Sequence, residues 1–258
     1  MSRAAGLILL AAMTAFAIAG PVLIEADPLR QNLRAALQPP SAVWPLGTDH
    51  LGRDVLARLA HAARASMALG AGTVALAAAI GVGLGLMAAW RGGVVERLAE
   101  ASCAIAMALP GLLVVVLIAA VAPGQFWPLY LGLVFASWVE FYRPVRALAK
   151  SRLAAPDVQA ARLFGFGVWH VARRHVLPEL LAPVATIAAF AFAGAVLAVA
   201  SLGFVGIGLR PPVPEWGNMM VELLPHYADA PVQLLAPAAA VFLAVLGLHL
   251  AAGTERAP

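Results

Sequence analysis

Long apolar runs separated by short polar segments extend along most of the 258 residues. A run of about 20 apolar residues is long enough to cross the hydrocarbon core of a bilayer as a helix. Pro110 interrupts one of these runs, and Glu140 lies near the end of a shorter one. The pattern predicts an all-α integral membrane protein with about six transmembrane helices. The predicted spans are residues 4–24, 66–90, 103–122, 126–142, 181–209 and 232–253.

The first apolar run allows two interpretations. Arg3 and the small-x-small sequence at residues 17–19 resemble the start and the cleavage site of a signal peptide. The run continues to Ile24, however, and exceeds the 7–15 residues of a typical signal-peptide core. We favour a retained anchor and assign residues 1–30 to an N-terminal transmembrane segment.

Composition supports the bilayer as the solvent of this chain. Hydrophobic residues make up 62% of the sequence and charged residues 12%, whereas soluble domains are about half apolar and a quarter charged. The single cysteine, Cys103, excludes a disulfide scaffold and a cysteine-rich metal site. The six histidines are dispersed and form no i, i+4 pair on one span, so we predict no metal site.

The distribution of charge predicts the orientation. Lys and Arg are enriched on the cytoplasmic side of membrane proteins. If the N-terminus is cytoplasmic, eleven of the 17 Lys and Arg residues lie inside, most of them between residues 143 and 174. We therefore expect both termini in the cytoplasm. The net charge of +4 is explained by this bias, and we predict no nucleic-acid partner.

Residues 31–65 form a predicted extracytoplasmic segment. Leu51, Val55, Leu59 and Ala62 recur at helical spacing, with charged residues between them. This pattern is typical of a helix that lies on the membrane surface, here before the second span. The chain contains no Gly-Lys-Ser or Gly-Lys-Thr, so it cannot bind ATP through a P-loop.

A polar insert occupies residues 143–178, which we expect in the cytoplasm. Helix-favouring residues 158–164 follow Asp157, and Gly165 and Gly167 then interrupt the helix. Residues 168–176 predict a second short helix, which Pro178 would end before the fifth span. One interpretation is a surface hairpin whose charges only determine the topology; the other is a docking element with a flat face at the adjacent alanines of 160–161.

The spacing within the insert is similar to the cytoplasmic "EAA" loop of binding-protein-dependent ABC importer permeases. That loop has Glu-Ala-Ala, three residues, Gly, nine residues and an aliphatic-x-Pro ending. The matching residues are Gln159, Ala160, Ala161, Gly165 and Pro178. Gln159 replaces the glutamate, so an ionic contact at this position is not expected, while the helical shape is.

Two further segments resemble the C-type subunit of the peptide/nickel importer family. The first surrounds Gly47, Thr48, Asp49, Gly52, Arg53 and Asp54. The second surrounds Gly206, Gly208, Pro212, Trp216 and Gly217. The resemblance implies the type I ABC importer permease fold, with a permease domain over residues 66–258 that includes the coupling loop 143–178. The C-terminus departs from the charged ending that is usual in this family.

The resemblance also implies partners and a location. The expected partners are a second permease subunit, two cytoplasmic ATPase subunits and an extracytoplasmic solute-binding protein. ATP and Mg²⁺ would bind the ATPases, and this chain would bind no cofactor and catalyse no reaction. The expected location is the inner membrane of a bacterium, and the expected cargo is peptides, nickel or metal chelates.

Two other function classes are weaker. A proton- or sodium-coupled secondary transporter needs ionisable groups or broken helices near the bilayer midplane, and His249 is the main ionisable residue predicted at depth. An intramembrane hydrolase would have to use Ser201 and His249, but the Gly-x-Ser-x-Gly pattern is absent from the sequence. We therefore predict a transport subunit.

Overall fold

The structure is a computed structural model that describes residues 3–122, 124–209 and 212–252. These ranges contain helices and connecting turns and, within them, no β-strand. The α-helices are α1 (Arg3–Leu23), α2 (Val55–Arg91), α3 (Gly93–Ala108), α4 (Gly111–Val121), α5 (Phe126–Leu153), α6 (Pro156–Leu163), α7 (Val168–Val171), α8 (Leu177–Phe204), α9 (Trp216–Leu223) and α10 (Pro231–Ala252). Short 3-10 turns occupy Leu33–Ala35 and Leu224–His226, and a π-helical turn occupies Ala172–Val176.

Helix α2 is the central helix and packs against α1, α5 and α8. Its glycines allow close approach, since a Cβ at Gly81 would collide with the carbonyl oxygen of Trp138 in α5. The predicted separate surface helix over residues 51–65 is wrong. Residues 55–66 contain neither Gly nor Pro to end a helix, and Val55 and Leu59 are buried in the core. One helix of 37 residues therefore crosses the predicted boundary between residues 65 and 66.

The third predicted span is broken in two. Helices α3 and α4 meet at an angle of 85°. Leu109 is extended, with φ −104° and ψ 138°, because a residue before proline is excluded from the helical region, and Pro110 has no N–H to continue the ladder. Pro110 thus produces a corner between two shorter helices.

The helix that contains the fourth predicted span is longer than its apolar stretch. Helix α5 continues from Phe126 to Leu153, well beyond the predicted end at residue 142. Its last turns carry Arg146, Lys150 and Arg152, and Arg146 and Lys150 form ion pairs with Glu96 of α3. Glu140, which the sequence placed near the end of a span, lies at the middle of this helix.

Four helical segments are long and apolar enough to cross a membrane: α1, α2, the continuous segment Val168–Phe204, and α10. The bent pair α3–α4 would be a fifth. Helix α5 is also long, but its charged residues distinguish it from these five candidate spans. The all-α membrane fold is confirmed. Gly253, the last residue of the sixth predicted span, lies outside the described ranges.

The ends of the long helices define two ends of the molecule. At the first, a Cβ on Gly6 would collide with the backbone of Leu250 and Ala251, so α1 starts where α10 finishes. Trp90 of α2 packs at this end against the buried residues of α6 and α7. We call it the loop end. At the second end, Gly20 of α1 lies beside Ala60 of α2. We call it the cluster end, because it carries the ion pairs described below.

Candidate functional site

The coupling loop begins with a capped helix at the loop end. Pro156 occupies the first turn of α6, where its missing N–H costs nothing. The carboxylate of Asp157 lies 2.9 Å from Nη2 of Arg152 and 3.2 Å from Nδ1 of His175. Desolvation opposes ionisation of this carboxyl, but the His175 hydrogen bond and the charge of Arg152 prevail and lower the pKa of Asp157. These contacts tie α6 to the elements on both sides of it.

The predicted alanine face is divided between inside and outside. Ala161 is buried together with Val158 against the loop's own core, whereas Ala160 and Gln159 are exposed. Adjacent helical residues point about 100° apart, so a neighbouring pair cannot share one flat face. The Gln159 Nε2 donates to the carbonyl oxygen of Ala154 at 3.2 Å, a hydrogen bond that needs no negative charge. Gln159 and Ala160 are thus the outward part of the motif.

Gly165 forms the turn that ends α6. Its φ of 82° is in the left-handed region, and its N–H donates to the carbonyl of Arg162 while that of Phe166 donates to Ala161. This pair of hydrogen bonds is the Schellman arrangement, which satisfies the last carbonyls of a helix and favours glycine at this position. The predicted helix, turn and second helix are all present.

A patch of large apolar side chains faces outward beside this turn. Leu163 is 89% exposed, Phe164 82%, Trp169 72% and Val168 63%. We call these four residues the apolar patch. Exposed apolar residues grouped in this way mark interaction sites in many proteins. Sequence reasoning missed them, although five large apolar residues within positions 163–169 of a polar loop were a readable signal.

Basic groups border the apolar patch. Arg173 and Arg174 lie with Trp169 and His170 around a small surface depression. His170 stacks on Phe166 with the ring centroids 4.4 Å apart. The loop thus presents an apolar centre with a cationic border.

Pro178 continues the helix that it was predicted to end. The chain passes from α7 through the π-helical turn Ala172–Val176 directly into α8. The N–H of Leu177 donates to the carbonyl of Ala172, five residues earlier, and this wider turn makes room for the ring of Pro178. The coupling loop is therefore joined to α8 without a break.

At the cluster end, the first family-like segment forms a compact turn. Gly47 and Gly52 have φ of 76° and 71°. The Oγ1 of Thr48 accepts a hydrogen bond from the N–H of Gln38 at 2.9 Å and donates to the carbonyl of Ala35. Asp54 caps α2, accepting from the N–H of Ala57 at 2.9 Å. These residues shape the connecting segment, which is residues 24–54.

A buried charge cluster joins the connecting segment to α2 and α9. Arg53 Nε lies 2.6 Å from Asp49 Oδ2, and Arg53 Nη2 lies 2.6 Å from Glu222 Oε2. Arg58 Nη2 also lies 2.7 Å from Glu222 Oε2. Two carboxylates and two guanidinium groups balance in charge, which is what burial requires.

The second family-like segment packs α9 against α8. Gly206 has φ of 82° and ends α8 with a second Schellman turn, while Gly208 lies against Gly203. Trp216 is fully buried and packs into the core shared by α2, α8 and α10. Gly217 has no room for a Cβ against the carbonyl oxygen of Ala200. Pro212, the remaining residue of this signature, is exposed.

Sequence comparison decides between the function classes. Residues 81–253 match the family described as "Binding-protein-dependent transport system inner membrane component". The chain belongs to this family. The permease is also similar along 95% of its length to curated relatives, of which it covers 81–83%.

Three of these relatives carry peptide-related names. The di/tripeptide transport system permease protein of Pseudomonas aeruginosa is 33% identical over 255 residues. The dipeptide transport system permease protein of Alkalihalophilus pseudofirmus is 31% identical over 245 residues. A putative peptide transport system permease protein of Brucella suis is 32% identical over 245 residues. The matches include residues before 81, so they extend across the connecting segment of the permease.

Among the residues that the structure describes, one group has metal-ligand geometry. Ligand atoms of Asp49, His50 and Glu222 lie within 4.8 Å of one another. Both carboxylates, however, already contact Arg53 or Arg58, whose positive charges oppose a bound cation. Burial, opposed by the nearby carboxylates, lowers the pKa of His50, which stacks on His226 at 5.8 Å. The arrangement fits an ion-pair network better than a metal centre.

Proposed function

We propose that this permease is one of two membrane subunits of an ATP-driven importer of short peptides. Family membership supports the importer, and the relatives named above support peptides rather than nickel or metal chelates as cargo. In this proposal two ATPase subunits bind ATP and Mg²⁺ and hydrolyse the nucleotide, and a solute-binding protein delivers the peptide. The permease supplies the passage.

The apolar patch carries the proposal for coupling. Leu163, Phe164, Val168 and Trp169 project from a rigid helix–turn–helix whose inner face is closed by its own core. A soluble partner that covered them would bury apolar area worth about 25 cal/mol per Å². Arg173 and Arg174 beside the patch would meet acidic groups of that partner. We infer that an ATPase subunit covers this surface.

The arrangement of the helix ends supports a cytoplasmic loop end. The start of α1 and the finish of α10 lie at the same end as the coupling loop. Most of the Lys and Arg residues belong to this end as well, and such residues are enriched on the cytoplasmic side. In this orientation the cluster end faces the solute-binding protein.

A substitution in the apolar patch tests the docking. Phe164→Asp places a charge on an outward side chain, so we expect the ATPase to dissociate and peptide uptake to fall at least about tenfold, since tenfold corresponds to only about 1.4 kcal/mol. The measurements are co-purification of the ATPase from membranes and uptake of a labelled dipeptide by cells.

The matched control is Leu33→Asp, a similarly exposed apolar position at the cluster end. It should leave ATPase association unchanged. Normal co-purification and uptake with Phe164→Asp would show that the patch is not the docking surface.

A further inference from the structure

Two adjoining cavities flank α5. The larger, of about 530 Å³, lies between the α3–α4 corner and α5, and the smaller, of about 230 Å³, lies between α4, α5 and α8. Glu140 lines both of them. Irregular backbone at membrane depth is tolerated where it is buried or lines a cavity. Leu109 and Gly111, on either side of Pro110, line the larger cavity. The cavities therefore form a space that the fold maintains around one carboxylate.

Glu140 lies near the middle of α5. It is about 20 Å from either end of α5 at 1.5 Å per residue. The neighbouring turn of α5, from Trp138 to Tyr142, contacts Gly81, which lies within the apolar part of α2. A carboxylate at this depth is costly and marks a functional site in many membrane proteins.

No side chain in the described ranges compensates for this cost. Within residues 3–122, 124–209 and 212–252, Glu140 has no ion-pair partner and no hydrogen bond, and the residue is exposed to the two cavities rather than packed among other side chains. By contrast, the carboxylates of Glu96 and Glu222 each contact two basic side chains. A cation from outside this chain is the group that the site lacks.

The cavity walls leave room for such a cation. A Cβ built on Gly194 would meet no atom within 4 Å. The smaller cavity is also lined by the small residues Gly111, Ala136, Ser137, Ala191, Ala195 and Ala198. Arg143 also lines the larger cavity, and its Nη1 lies 3.4 Å from the Sδ of Met107. The space thus offers one negative group, one positive group and an apolar wall. A short peptide with free termini has the complementary charges.

We propose that these cavities are a transit site for the peptide and that Glu140 binds its free α-ammonium group. The proposal rests on the function proposed above, because it takes a short peptide as the cargo. A single carboxylate is a poor site for a metal ion, which needs several ligands. An ammonium group needs only one carboxylate and some hydrogen-bond acceptors. Glu140 would therefore select for peptides with an unblocked N-terminus inside the passage.

Cysteine labelling tests the site without requiring transport. The reporter is Ser137→Cys, on the wall of the smaller cavity, in a Cys103→Ala background. The assembled complex with its ATPases, in nanodiscs and without nucleotide, is treated with a cationic trimethylammonium-ethyl or an anionic sulfonatoethyl methanethiosulfonate. We measure the ratio of the cationic to the anionic labelling rate. Because a carboxylate lies nearby, we expect this ratio to exceed the ratio for a free thiol in solution by on the order of tenfold.

Ligand protection then identifies the group that Glu140 binds. L-Alanyl-L-alanine should slow the labelling, whereas N-propionyl-L-alanine, the same molecule without its amine, should not. Glu140→Gln should abolish both the cationic preference and the protection, and Glu140→Asp should retain both.

Two results would overturn the proposal. One is equal protection by both compounds. The other is the absence of a cationic preference in the complex with Glu140 intact, which would mean that a basic residue of another subunit already neutralises the carboxylate. Failure of ATP-driven dipeptide uptake by the unmodified complex would instead refute the proposed function, whatever the labelling shows.

Discussion

At Gly52 the backbone has φ of 71°, and a Cβ would collide with the carbonyl oxygen of Asn32. Gly83, in the last third of α2, has helical geometry, and a Cβ there would meet no atom within 4 Å. The two glycines thus have opposite roles. The first is required by a conformation and a contact, and the second only lowers the helix propensity of α2.

We expect Gly52→Ala to destabilise the permease by about 2 kcal/mol or more, since left-handed geometry alone costs about 1–2 kcal/mol for a residue with a Cβ. Gly83→Ala is the matched control and should be neutral or stabilising by up to about 1 kcal/mol. The measurement is the midpoint of thermal unfolding of the purified permease in detergent. Equal midpoints for the two variants would contradict the structure of the connecting segment.

Among the elements, α9 is held by both packing and charge. Its N-terminus is capped by Glu215, which accepts from the N–H groups of Gly217 at 2.9 Å and Asn218 at 3.1 Å. Burial raises the pKa of Glu215, although these hydrogen bonds oppose the shift. The last turn of α9 carries Glu222, whose carboxylate forms ion pairs with Arg53 and Arg58. The helix therefore connects the turn after α8 to the start of α2.

Glu222→Gln should cost about 3 kcal/mol, because it leaves two buried guanidinium groups without their shared carboxylate. Glu179→Gln removes an exposed ion pair with Arg152 instead and should cost less than about 1 kcal/mol. Thermal unfolding of both variants checks the difference. Adding Arg58→Met to Glu222→Gln should recover part of the loss; a purely additive double variant would show that the two residues do not interact.

For the molecule as a whole, the two ends should lie on opposite sides of the membrane. Leu33→Cys at the cluster end and Phe166→Cys at the loop end both place a thiol on a partly or fully exposed side chain. In the Cys103→Ala background, a membrane-impermeant maleimide should label the first in spheroplasts and the second only after lysis. The reverse pattern would invert the proposed orientation.

The sequence predicted the class and the approximate number of long helices because span length is a property of consecutive residues. It could not predict contacts between distant positions. The ion pair of Arg58 with Glu222 joins residues 164 positions apart, and the burial of Trp216 depends on α2, α8 and α10 together. From local pattern alone, the residues around Arg58 were interpreted as a surface helix.

The candidate site was predicted in part. Gly165 could be placed at a turn because its role is local, and the structure has the turn there. Which alanine of the motif faces outward depends on the packing of Val158 and Ala161 against other helices. The central place of Glu140 in α5 was not predicted, because the apolar run ends at residue 142 whereas the helix continues to Leu153 with ion pairs to α3.

Because the helix is unbroken at Pro178, the second helix of the coupling loop and α8 form one continuous helical segment. From Val168 to Phe204 the helix is about 55 Å long at 1.5 Å per residue. A tilt of about 5° imposed on Trp169 would displace the far end by about 5 Å, and would carry the cavity wall at Gly194 with it. The π-helical turn lies between Trp169 and Gly194, so stiffening or loosening its five residues would change how much of such a tilt reaches the cavity wall.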